Sequence, residues 1–365
     1  MKRYLSLDIL RGLTVAMMIV VNNPGSWDCM YPILAHASWD GCTPCDLVFP
    51  FFLFCVGVSM VFAFAKYPGL NRDALKKVFK RGVLLYLIGL LINAFPFYPT
   101  TLNPELTFWQ NWLDWARHLR LMGVLPRIAL CYILGSILVL WLQTPRKLIA
   151  TVGLLCFLHV ALLLLFAGPE GAFSLEGNFA RRLDLAILGN NHIYHGYGLP
   201  FEPEGFLGTL TGTATVLLGY LIGTTVRRTT PMEASPKVFS LSAALLLGGL
   251  VLSLVVPLNK SLWSASYVLY TAGWASFVFA LLIYLVDVKG YEKPFIPFRA
   301  LGMNALALFV LSQLIFLVIW VYVPWDAAAT FGQTEFLSLC YALMCLVLHL
   351  TIAVVLYRKK IFIKL

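Results

Sequence analysis

Apolar runs of about 20 residues alternate with short polar connections along nearly the whole chain, the length a helix needs to cross a bilayer. Ten such helices are predicted, near 5–23, 46–66, 79–97, 125–142, 147–167, 205–226, 237–257, 264–286, 299–322 and 335–357. The pattern predicts an all-α polytopic membrane protein in which 1–365 forms a single transmembrane domain, without internal repeat or separate soluble part. Basic residues mark alternate connections: Arg72, Lys76, Lys77, Lys80 and Arg81, then Arg146 and Lys147, Arg227 and Arg228, Lys289 and Lys293, and finally Arg358, Lys359 and Lys360. The positive-inside rule puts these segments and both termini in the cytoplasm and the other connections outside.

Composition agrees with this pattern. The 365 residues are 60% hydrophobic and only 12% charged, about half the charged share of a soluble domain. A net charge of +10 would suggest nucleic acid in a soluble protein, but here topology accounts for it. The bilayer is the expected partner and nucleic acid is not. Met1-Lys2-Arg3 and the small residues of Ala35-His36-Ala37 resemble parts of a signal peptide, yet Asp8 and Arg11 interrupt the apolar run, so an uncleaved first helix is expected. Most of the eight cysteines lie in apolar runs. Cys42-x-x-Cys45 with Cys29 nearby leaves a disulfide open; a single CxxC, and His192 with His195 but no third ligand, give no metal site.

Three polar groupings stand out. In the first helix Asp8, Arg11, Val15, Met18 and Asn22 share one face, with the ionic pair and the amide roughly 21 Å apart along the axis. Between the first two helices runs HASWDGCTPCDLVFPFFLF, where His36, Asp40 and Asp46 sit at the lip of a membrane helix. Charge is expensive there and usually functional. Thr43, Pro44 and Asp46 also read as an N-cap, a first-turn proline and an acid reaching back to the cap, and the helix N-terminus turns positive partial charge toward the outer loop. The third grouping is the outer loop 167–204, whose amides, imidazoles and acids suit a polyhydroxylated ligand. Trp109, Trp112 and Trp115 predict an interfacial helix or a sugar-stacking surface. Gly208, Gly212, Gly219 and Gly223 predict a close-packing helix face.

HASWDG with the TPxDLVFPFFLF-type helix start resembles the signature of the heparan-alpha-glucosaminide N-acetyltransferase-like family. SLDILRGLTVAMMIVVNN, GVLPRIALCY, LGNNHIYHGYGLPFEPEGFLGTL, PLNKSLWSASYVLYTAGWA and GMNALALFVLS follow in the family's order. The resemblance implies a transmembrane acetyltransferase that moves acetyl from cytosolic acetyl-CoA to the amine of a glucosamine or glucosaminide outside, as a homodimer and without metal. Lacking the extra N-terminal region of animal members, the chain resembles a bacterial one of the inner membrane. His36, with an ordinary pKa near 6.5, is the expected base or nucleophile. Asn22 matches the family's active-site asparagine, and Asp46, or Asp40, would hold the ring. Donor binding is expected from Lys80, Arg81, Arg11, Asp8 and Arg127, the last matching a family motif. Sugar contacts are expected from Trp39, Asp40, Asn190, Asn191, His192, Lys260 and Trp263. The rival reading is a transporter for an N-acetylglucosamine-type sugar, since polar groups inside membrane helices also build permeation paths.

Overall fold

The computed structural model describes residues 4–99, 102–322 and 330–363; Met1–Arg3 lie outside them. Every regular element among the described residues is helical. In chain order these are α1 (Leu5–Asn22), α2 (Val48–Ala63), α3 (Arg72–Ala94), α4 (Phe108–Arg117), α5 (Val124–Leu142), α6 (Pro145–Leu165), α7 (Phe179–Leu188), α8 (Phe206–Arg228), α9 (Pro231–Leu252), α10 (Ala265–Leu282), α11 (Ile296–Met303), α12 (Ala305–Tyr322) and α13 (Glu335–Arg358). A 3-10 turn, Pro44–Leu47, leads into α2, and a π turn, Ile283–Val288, extends α10.

Eight of these segments are long and apolar enough to cross a membrane. The expected span 79–97 falls in α3, whose 23 residues include Arg72, Asp73, Lys76, Lys77, Lys80 and Arg81 and leave only its second half apolar. The expected span 299–322 is not one straight helix: α11 and α12 meet at 76° around Asn304. There the buried amide turns away from the helix, donating to the Ile361 carbonyl (3.1 Å) and accepting from the Ile363 N–H (2.8 Å), so the C-terminal segment plugs the break. Hydropathy alone cannot register such a bend, because both arms are equally apolar.

Helices α1, α2 and α8 form the centre, whereas α6, α9 and α13 turn most of their residues outward. Small residues set the closest crossings. A Cβ on Gly57 of α2 would collide with the Val216 carbonyl of α8, and one on Gly219 of α8 with the Phe54 carbonyl of α2, so the backbones touch. Gly219→Ala is therefore expected to destabilise the protein by roughly 1–3 kcal/mol, read as a lower Tm in detergent. At the α1–α11 crossing Gly12 and Gly302 play the same part against Phe298 and Asp8.

The helices separate two sets of connections. At one end, the Tyr4 hydroxyl reaches the Val226 and Thr229 carbonyls and Arg227 reaches Val61, uniting the basic ends of α1, α2 and α8. At the other, Gly41 bonds Leu258, Trp39 bonds Phe173 and Leu121 bonds His192, which joins the His36 segment to the later non-basic connections. The charge alternation read from the sequence thus corresponds to two opposite ends of one bundle.

Candidate active site

At the non-basic end the chain leaves α1, loops out and re-enters through the Pro44–Leu47 turn. Asp46, in that turn, is 1% exposed, and its two oxygens divide the work. Oδ2 accepts from the backbone N–H of Ala37 (3.1 Å) and of Thr43 (3.0 Å), closing the loop on itself. Oδ1 lies 2.7 Å from Nδ1 of His36 and 3.4 Å from Nζ of Lys260. The capping acid foreseen in the sequence is therefore also the group that orients the imidazole. A neutral ring facing a carboxylate through Nδ1 carries its proton there, which leaves Nε2 as the nitrogen with the lone pair. The His36 side chain is 46% exposed.

Lys260 enters from the connection between α9 and α10, with Nζ 2.9 Å from Nδ1 and 3.2 Å from Nε2 of His36. Its hairpin is fixed on several sides. Asn259 donates to Asp40 (3.0 Å) and accepts from the Leu262 N–H (2.7 Å), while buried His159 of α6 donates to the Leu262 carbonyl (3.0 Å). Trp263 occupies the left-handed region at φ 53°, an uncommon conformation for a bulky side chain. Packing holds it: its ring lies against Phe49 and over the Arg127 guanidinium, and its N–H donates to Thr215. From α10, the wholly buried Tyr267 donates to the Asp46 carbonyl (2.6 Å).

Cys45 places its sulfur 3.1 Å from His36 Nδ1. All eight cysteines are free. Burial, and then the Asp46 carboxylate, push the Cys42 thiol up to about 12, which keeps it protonated and a poor nucleophile. Among the described residues no three His, Cys, Asp or Glu side chains gather as a metal site.

The other expected site residues divide by place. Trp39 reaches under the outer loop, donating to Phe173 and meeting Tyr197 and Phe201 edge-on, so its ring is part of the outer core. Asp40 is exposed beside it. Asn190 and Asn191 are exposed in the turn after α7, and His192 donates to the Leu119 carbonyl; none of the three contacts the His36 group among the described residues. Asn22 is partly buried at the end of α1, without a hydrogen bond to that group. Asn259 and Tyr267 were not singled out in the sequence. Each lies near a residue that was, one position before Lys260 and four after Trp263.

A cavity of about 510 Å³ opens deeper in the bundle, bounded by α1, α2, α3, α5, α11 and α12. Its wall is mostly apolar, from Phe52 to Ala63 of α2, with Arg11 and Arg81 as its charged members. Arg11 pairs with Asp8 (2.6 Å) and Arg81 lies over the Tyr132 ring (5.2 Å), yet the Nε of each is buried without a partner. Lys80 is exposed on α3 and Arg127 lies elsewhere, donating to the Pro203 carbonyl under the outer loop. The cavity does not include His36: Phe52 is six residues from Asp46, roughly 9 Å along the helix.

A model of the family described as heparan-alpha-glucosaminide N-acetyltransferase, catalytic, matches residues 3–255. The chain belongs to this family. Over 412 aligned residues it is 28% identical to heparan-alpha-glucosaminide N-acetyltransferase of Mus musculus, covering 98% of this chain. Over 419 it is 27% identical to the Homo sapiens protein of that name, covering all of this chain. The chain spans 60% of the length of each of these relatives. The match includes the His36 segment and α2, α3 and α5, and ends short of Lys260.

The outer loop carries a second charged group. Arg120 bonds Glu202 and Glu204 and lies over Tyr194, while Asp184 of α7 accepts from the Phe206 N–H (2.9 Å) at the start of α8. Burial pushes the Asp184 carboxyl from 3.8 up to about 7; the Phe206 bond opposes the rise and Glu202 adds to it. Because the folded value is the higher one, the stability this group contributes is complete below about pH 4 and is lost as pH rises to about 7. Asp184→Asn keeps the acceptor and removes the proton. Its Tm in detergent is expected to vary less than the parent's across that window.

Proposed function

We propose that the protein is a membrane acetyltransferase that moves the acetyl group of acetyl-CoA to the amine of a glucosamine-type sugar, with His36 as the base. The observation that carries this reading is the His36–Asp46 pair: a buried carboxylate on Nδ1 of a half-exposed imidazole, as removal of an amine proton by Nε2 requires. In the chemistry, Nε2 takes the proton as the amine attacks the thioester carbonyl. Asp46 holds the ring and balances its charge, and the Lys260 cation offsets the buried carboxylate. Asn22 is the proposed donor to the carbonyl oxygen, and Trp39, Asp40, Trp263, Asn190, Asn191 and His192 the framework of the sugar side. The name shared by the mouse and human relatives supports the reaction class.

The donor fits the cavity better than the His36 loop. Its orphaned Arg11 and Arg81 Nε atoms offer donors to an anion, and the apolar wall suits a pantetheine-like arm. Asp8 would orient Arg11, while Lys80 would add charge at the mouth and Arg127 act under the outer loop. With the basic end in the cytoplasm, the donor enters there and the acetyl group is delivered to the opposite face of what, in a bacterium, is the inner membrane. A homodimer is the proposed assembly. Arg81→Ala is expected to raise the KM for acetyl-CoA by roughly 10- to 100-fold, the loss of one charge-assisted contact, with a smaller change in kcat.

The reaction itself is tested with purified protein in detergent. Beyond one equivalent per protein, free thiol should appear from acetyl-CoA only when glucosamine is added, in step with N-acetylglucosamine. Intact acetyl-CoA, with labelled sugar accumulating in vesicles that contain no CoA, would support a transporter instead.

A further inference from the structure

We propose that Lys260 is itself an acetyl acceptor, so that the site N-acetylates its own chain when no amino sugar occupies it. The inference rests on the acetyl-transfer reading and on one juxtaposition. The amine beside the proposed base belongs to the protein: Lys260 Nζ stands 3.2 Å from His36 Nε2, the nitrogen that carries the lone pair, and 2.9 Å from Nδ1. An incoming sugar amine has to take that same place against the ring. The lysine is held there by a hairpin fixed through Asn259, His159 and Trp263, and its side chain is 23% exposed rather than sealed in.

The step balances without a further reactant. The ammonium first gives one proton to solvent. The free amine then forms an N–C bond to the acetyl carbonyl carbon while the C–S bond breaks, and the electron pair leaves on sulfur. The second amine proton passes to His36 Nε2 and on to the departing thiolate, giving an amide and a free thiol. An amide, unlike a thioester, is no acetyl donor under these conditions, so the modification ends turnover. It also removes the cation that faces Asp46 at 3.4 Å. Amino sugar protects the lysine by occupying its place.

Lys260 is the only lysine at this end among the described residues; Lys66, Lys76, Lys77, Lys80, Lys147, Lys237, Lys289, Lys293, Lys359 and Lys360 belong to the basic end or its neighbouring turns. That makes the label easy to locate. Purified protein is incubated with acetyl-CoA, with and without glucosamine, and its peptides are read by mass spectrometry after hydroxylamine, which strips acetyl from imidazole or sulfur but not from lysine. The expected result is a stable acetyl group on Lys260 without sugar, severalfold less with it, none in Lys260→Arg, none in His36→Ala, and activity falling as the label rises. Sugar acetylated normally while Lys260 stays bare would overturn the proposal alone, as would a Lys260 label no greater than that on the exposed Lys76 and Lys77. Transfer to neither sugar nor lysine would overturn the acetyl-transfer reading with it.

Discussion

His36→Ala is expected to lower the rate of acetyl transfer by roughly 10²- to 10⁴-fold, the usual worth of a positioned general base. The fold should survive. The ring is 46% exposed, and Asp46 keeps its bonds from Ala37 and Thr43 and its ion pair with Lys260. Tm is therefore expected to stay within a few degrees of the parent, as for other surface substitutions. A folded His36→Ala protein that retains full activity would remove the imidazole from the mechanism.

Asp46→Asn should cost nearly as much in rate by a different route. An amide can offer its NH₂ to Nδ1, which then becomes the acceptor and sends the ring proton to Nε2, leaving no lone pair for the amine. A comparable tautomer error lowers kcat by roughly 10⁴-fold in a serine-protease triad, and a loss of 10²- to 10⁴-fold is expected here. The variant also exchanges a buried anion for a neutral group beside Lys260, so a lower Tm accompanies it. Rate loss with unchanged KM for both substrates would mark a group acting on the base; a KM effect alone would mark a binding residue instead.

Much of this was legible in the sequence because it is local. His36 and Asp46 are ten residues apart on either side of a turn whose Thr43-Pro44 start advertises a capping acid, and a carboxylate so placed can reach an imidazole across the loop. The packing face of α8 follows the same logic, since the spacing of Gly208 to Gly212 and Gly219 to Gly223 states it directly, whereas its partner Gly57 on α2 came only with the fold. The positions of long-range partners were not legible. Lys260 lies 224 residues from His36, and only folding shows its amine against the ring. Arg127 carries no mark that says whether it snorkels, lines a cavity or lies beneath a tryptophan; its neighbour Trp263 decides that. Arg11 and Arg81 come from different helices, and their common cavity emerges from the packing of six. Asn190 and Asn191 had the chemistry of a sugar site and lie exposed in the turn after α7, whose own residues pack against the outer core.

The central claim is that an acetyl group held at the basic end reaches an amine at the other. Sealed proteoliposomes test it most directly, with labelled acetyl-CoA confined to the face bearing the basic loops and glucosamine to the opposite face. The account predicts labelled N-acetylglucosamine on the sugar side, CoA retained on its own side, and product from His36→Ala formed at the strongly reduced rate expected of that variant. Product formed only when both substrates share one face would contradict it.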